Sequence, residues 1–317
     1  MPAGPGGTEG GEGFYLYGPG GAASTFRNLT IQDSDYGGIV AAAGGGPLVV
    51  ENVAFENNLG GGIQAGSSFE QIAVEVSGST FSGNATSWFG SAVLGFGPVT
   101  MVNSTVSGNG FVPEYGEVDY SAGGTIVTLT MEYEEDPSGI TLRNVTLAGN
   151  DSGPSPALAT LCLGKGLCSE GPENPSGDIE VYNSIVAEEG AGCGTPYSGV
   201  ILGAGNVIQD SVTGCDDLLG GPAPSLEAKV SAAAIDLGPL LLNAPGLTAT
   251  MALGSDSVAL GAAVADICPE TDQRGEPRPA DACDSGAFQR SAAPVPVGPA
   301  LKASVGTAKK VRAGKTA

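Results

Sequence analysis

Residues 101–110 read MVNSTVSGNG, and this stretch decides the fold. Its pattern returns as FRNLTIQDS from Phe26, VENVAFENN from Val50, VSGSTFSGN from Val76, LRNVTLAGN from Leu142 and VYNSIVAEE from Val181. The template runs apolar-x-Asn, then a small or apolar residue, then Thr, then an apolar residue, and ends x-x-Asn. Its first Asn position falls at Asn28, Asn52, Gly78, Asn103, Asn144 and Asn183, in steps of 24, 26, 25, 41 and 39 residues. Self-similarity at such a period is the mark of a solenoid. Three near-equal steps followed by two long ones describe a regular coil that later carries insertions.

Between the repeats lie short runs rich in Val, Ile, Thr and aromatics, split by Gly or Asn, and these read as strands. About 25 residues with three short strands and three bends make one turn of a right-handed, single-stranded parallel β-helix, so an all-β chain is expected. Coiling lets each strand pair with its equivalent one turn later, as parallel strands require a long connection. The template asparagines Asn28, Asn52, Asn103, Asn144 and Asn183 are placed at a bend, where Asn tolerates left-handed backbone. They are expected to bond one another in a ladder. Thr30, Thr80, Thr105 and Thr146 are expected to face outward, and Ile31, Phe55, Phe81, Val106, Leu147 and Val186 inward.

The chain of 317 residues carries 34 acids against 12 bases, for a net charge of −22. Five of the bases (Lys302, Lys309, Lys310, Arg312, Lys315) lie in the last stretch, 291–317, which holds no acid. The acidic body repels nucleic acid and anionic membranes, so neither is expected as a partner. No apolar run is long enough to span a bilayer. Residues 1–13 form a Gly-rich lead, expected to be disordered. Residues 14–192 hold the coil, with insertions near 112–138 and 152–179. Residues 193–290 are read as C-terminal rungs and a cap, and 291–317 as a Pro/Ala-rich and then basic tail. The N-terminus shows neither a charged nor an apolar signal region, so any export signal is expected to lie outside this chain.

Six cysteines fall as Cys162 and Cys168, Cys193 and Cys215, Cys268 and Cys283. Fifteen pairings are possible in principle, and pairing in sequence order is the simplest. With no His and no Cys-x-x-Cys, disulfides in an oxidising compartment are favoured over zinc, and no cofactor is expected. The insertion's carboxylates, Glu114, Glu117, Asp119, Glu132, Glu134, Glu135 and Asp136, lack a calcium-loop pattern and read as an acidic flap. Asp33 and Asp35 read as solvated turn carboxylates. Arg27 aligns with Glu51 one coil on and is read as a surface ion pair, Arg143 as solvated, and Arg274 as a clamp on Asp272 or nearby carbonyls. Tyr36, Trp88 and Phe89 precede the bends of their coils and are candidate glycan contacts. Asn-x-Thr triplets at Asn28, Asn84, Asn103 and Asn144 match glycosylation acceptors, but they fall out of the repeat and are read as ladder residues.

Two stretches resemble known families. FENNLGGGI at 55–63, echoed by FSGN at 81–84, resembles the repeats of polymorphic outer-membrane proteins. LGPL at 237–240, ALGSDSVALGAA at 252–263, Cys268, DQRGEPRP at 272–279 and CDSGAFQ at 283–289 resemble the closing region of bacterial choice-of-anchor Q β-helix proteins. That resemblance implies a pectate-lyase-like coil and export to the bacterial surface with no assigned enzymatic site, and the cysteine spacing adds a disulfide-rich closing segment. The sorting motif or terminal apolar helix of an anchor does not follow Phe288. The expectation is a non-catalytic, structural or adhesin-like surface protein. A glycan-binding module is the alternative, and a polysaccharide lyase or hydrolase a more distant one, since a coil without His and with only Arg27 and Arg143 is poorly supplied with bases.

Overall fold

The computed structural model describes residues 13–17, 21–43, 46–67, 69–112, 123–131, 138–163, 177–195, 199–219 and 228–290. Cys168, the Gly-rich lead before Gly13, the acidic flap residues and the tail after Arg290 lie outside them, as does the side chain of Cys162.

The chain winds into a right-handed parallel β-helix. One strip of seven parallel strands runs Phe14–Tyr17, Ile39–Ala43, Ile63–Ala65, Val93–Gly95, Ile126–Met131, Leu158–Leu163 and Cys193–Gly194. A second begins with the long strands Ser24–Gln32 and Leu48–Glu56 and continues through Val74–Ser77, Val99–Val102, Ile140–Arg143, Ile179–Tyr182 and Ile201–Ala204. A third branches from the far half of Leu48–Glu56 through Thr80–Ser82, Thr105–Ser107, Thr146–Ala148, Ile185–Ala187 and Val207–Ile208. The strands at 126–131 and 158–163 belong to the first strip, so the two insertions are narrower than 112–138 and 152–179. A further coil at 201–213 places Gly205 where the template has Asn.

Register fixes the core. Ile31, Phe55, Phe81, Val106, Leu147, Val186 and Ile208 stack in one inward column and are all buried. The Phe55 and Phe81 rings lie 4.6 Å apart and nearly parallel. A like column runs Val50, Val76, Met101, Leu142 and Val181. Identical spacing puts apolar residue on apolar residue at each turn, so burial repeats coil by coil at about 25 cal/mol per Å².

The bend between the second and third strips is left-handed at Asn28, Asn52, Asn103, Asn144 and Asn183, with φ of 45–56°, and at Gly78 and Gly205. The backbone expectation holds, but the side-chain ladder differs. Only Asn52 bonds its neighbour in the column, donating to Asn28 at 3.2 Å. At Gly78 the column has no side chain, and a Cβ there would lie 2.2 Å from Asn52 Oδ1. Beyond it, the asparagines bond the C-terminal segment instead: Asn103 donates to Thr271 O, Asn144 to Asp284 O and Asn183 to Val264 O.

The C-terminal segment explains this change. The 3-10 turn Asp216–Leu218 and the short helix Ala232–Ile235 cover the last coil. From Leu237 to Arg290, however, the chain runs back along the flank rather than over the end, carrying the antiparallel hairpin Leu237–Leu241 and Thr250–Leu253. Thr80, Thr105 and Thr146 do point away from the coil, yet they are buried beneath this strap, whereas Thr30 stays exposed. Thr105 donates to Gln273 Oε1 at 2.7 Å, and Gln273 Nε2 donates to Thr80 Oγ1 at 2.9 Å. Arg274 clamps the strap as expected, bonding Asp272 and the carbonyls of Ala244 and Gln289, with its guanidinium 3.7 Å over the Phe288 ring. The disulfides Cys193–Cys215 and Cys268–Cys283 form as expected. Arg27 pairs with Glu51 at 3.2 Å on the surface.

Candidate functional site

A second asparagine column organises one edge of the coil. Asn58 donates both its backbone N–H and its side-chain amide to Asn84 Oδ1, Asn84 does the same to Asn109, and Asn109 to Asn150. Each amide's other N–H reaches the carbonyl of the inward residue one coil back, namely Ile31, Phe55, Phe81 and Val106 in turn. All four asparagines are buried and fully bonded, which is the condition for a buried polar row to stabilise a fold. The first coil joins through Ser34, whose N–H donates to Asn58 Oδ1. The last joins through Glu188, which takes the place of Asn and accepts both donors of Asn150. Burial pushes the Glu188 carboxyl up to about 7, against the opposing pull of the Asn150 bonds. This column is the closing Asn of the sequence template. Its presence was legible there, but not its role.

The turns that leave this column form a groove of about 380 Å³ lined by Asp35, Tyr36, Leu59, Gln64, Trp88 and Phe89 among others. Two of the turns share one device. Ser34 Oγ accepts the Tyr36 N–H and donates to Gly37 O, while Thr86 Oγ1 accepts the Trp88 N–H. A hydroxyl bonding the backbone two residues on makes a compact turn, and each turn presents an aromatic at that second residue. Leu59, from the intervening coil, lies between them, its N–H bonded to Ser34 O at 2.7 Å. Gly60 permits the stacking, since a Cβ there would lie 2.5 Å from Tyr36 O.

Tyr36 is 62% exposed, Leu59 60% and Trp88 44%. Phe89, expected as a contact, is instead 5% exposed. It packs with Leu94, Phe96, Val127 and Leu129 in an apolar cluster separate from the coil core, and its ring holds Trp88 at 5.2 Å. Phe89 thus anchors the turn rather than offering its face. Gln64 projects outward from its strand, in register with Val40 and Leu94. Among the described residues, the side chains of Asp35 and Gln64 have no hydrogen-bond partner. Asp33, with φ of 56°, lies in the preceding bend and is exposed. No cluster of three or more metal-ligating side chains occurs among the described residues. Nor is any helix among them long and apolar enough to cross a membrane.

Of the four Asn-x-Thr triplets, Asn84, Asn103 and Asn144 are buried and bonded, and Asn28 alone is exposed. Arg143 is exposed on the second strip, in register with Val102 and Tyr182 and away from the groove lining.

Residues 8–131 match the sequence family described as a right handed beta helix region. The match spans the repeats that build the groove. No curated protein and no solved structure matches the chain. Fold and match together define a right-handed β-helix protein, a class that fits a structural, surface or carbohydrate-related role.

Proposed function

We propose that this protein is an exported cell-surface β-helix, non-catalytic and adhesin-like, which binds glycans through the groove between Tyr36 and Trp88. The observation that carries the reading is the pair of matched turns, at Ser34–Gly37 and Thr86–Phe89, that hold two aromatic side chains exposed on one edge. Folding gains nothing from exposing them, since Phe89 already covers the apolar cluster beneath. An aromatic ring offers a flat apolar face with a polar tip or rim, the combination that packs against a sugar ring. The disulfides at Cys193–Cys215 and Cys268–Cys283 suit an oxidising compartment outside the cytoplasm.

The non-catalytic part of the reading is supported by the groove's chemistry. Its lining holds one carboxylate, Asp35, where glycoside hydrolysis uses two facing each other across the bond. The test is a glycan array probed with the full chain, paired with product analysis on the polysaccharides that bind. Binding lost in Trp88→Ala, with no shortened or unsaturated product, is expected. Release of product by the parent would make the protein an enzyme.

A further inference from the structure

We infer that the groove takes neutral pyranose oligosaccharides laid along the coil axis, with Gln64 and Asp35 reading their hydroxyls. This rests on the glycan reading above and adds the ligand's charge, length and orientation.

Orientation and length follow from the register. Tyr36 and Trp88 belong to turns two coils apart, joined through Leu59 of the coil between. Successive coils are one strand spacing apart, which puts the two aromatics about 10 Å from each other along the axis. A single sugar ring cannot lie on both. A chain running parallel to the axis meets Tyr36, then Leu59, then Trp88, so contact area grows with ligand length until both aromatics are covered.

Charge follows from the lining. The groove carries no Lys or Arg, and its one charged side chain is the Asp35 carboxylate. The whole chain is at −22. A uronate or sulfated chain entering here meets repulsion with no counter-charge to offset it. A neutral hydroxyl both donates and accepts, which matches what the polar groups offer: the Gln64 amide donates and accepts, and the Asp35 carboxylate accepts. Neither side chain has a protein partner among the described residues, so a ligand exchanges only with water there. A ligand therefore gains these bonds without displacing any within the protein.

The test is calorimetric titration of the full chain with cello-, manno- and fully N-acetylated chito-oligosaccharides of increasing length, beside oligogalacturonates of matched length. The parent is compared with Gln64→Leu, which keeps the side chain's bulk and removes its bonds at an outward-facing position. Expected are saturable binding to at least one neutral series that tightens with length to a plateau, no binding of oligogalacturonate, and a weakening of about tenfold in Gln64→Leu, the worth of one or two hydrogen bonds. Preference for oligogalacturonate, or neutral binding unchanged in Gln64→Leu, overturns this inference and leaves glycan binding standing. Failure of both the neutral and the acidic sugars to bind overturns the glycan reading itself.

Discussion

Asn150 donates its backbone N–H and its side-chain amide to the two carboxylate oxygens of Glu188, one coil further along. At the three preceding steps both donors converge on a single Asn Oδ1. Glu188 is therefore a titratable end to a row that is otherwise neutral, and it is buried.

The sign of its pH effect follows. Burial raises the Glu188 pKa from 4.5 to about 7, so the folded state holds a proton that the unfolded state has lost. The resulting stability is complete below about pH 4.5 and is lost as pH rises through 7, by about 3 kcal/mol in all. Glu188→Gln removes the titration and keeps, at the same side-chain length, an amide oxygen that can accept from Asn150. Urea midpoints measured from pH 5 to pH 8 are expected to fall in the parent more than in Glu188→Gln. Parallel curves for the two proteins would count against this role.

The two asparagine columns should respond differently to truncation. Asn109→Ala leaves the Asn84 amide and N–H without their acceptor inside the protein, a loss of about 2–4 kcal/mol. Asn28→Gly keeps the left-handed backbone and removes only an exposed bond to Asn52, so a change within about 0.5 kcal/mol is expected. Urea unfolding of both variants decides it, and equal effects would show that the columns are not distinct.

Val106→Asp places a carboxylate in the fully buried inward column, where it has no partner. A cost of several kcal/mol is expected, read as loss of the folded circular dichroism signal at ordinary temperature. A variant as stable as the parent would contradict the assigned inward face.

The strap should detach before the coil melts. Gln273 bonds Thr80 and Thr105 of two successive coils at once, so Gln273→Leu removes a central part of the polar contacts that seat Leu237–Arg290 on the flank. Limited proteolysis is expected to cut the variant faster near the exposed hairpin residues Leu241, Leu242 and Leu247, with the β signal retained. Unchanged cleavage would mean that the strap is held by other contacts.

Much of this architecture was legible in the repeat, for a physical reason. Parallel coils stack like on like, so period alone placed Ile31, Phe55, Phe81, Val106, Leu147 and Val186 in one inward column and aligned Arg27 with Glu51. The strap was not legible. Its contacts join residues such as Thr105 and Gln273, 168 positions apart, and no periodicity encodes them, so a flank that the repeat marks as outward is buried. The stretch after residue 193 reads as rungs, but the template stops after Val186, so the repeat did not fix the register of the coil at 201–213. Trp88 and Phe89 are adjacent in sequence and alike in chemistry, and only the fold separates the exposed ring from the anchoring one.

Trp88 is the only tryptophan in the chain, so fluorescence excited at the red edge, where the tyrosines do not absorb, reports on the groove alone. The most direct measurement is titration of the full protein with the tightest-binding oligosaccharide, following Trp88 emission, alongside Tyr36→Ala. A saturable shift in emission that tracks the calorimetric binding curve, and that weakens by about tenfold or more in Tyr36→Ala, is expected. Sugar binding that leaves Trp88 emission unchanged would place the ligand elsewhere on the rod and contradict the groove as the functional site.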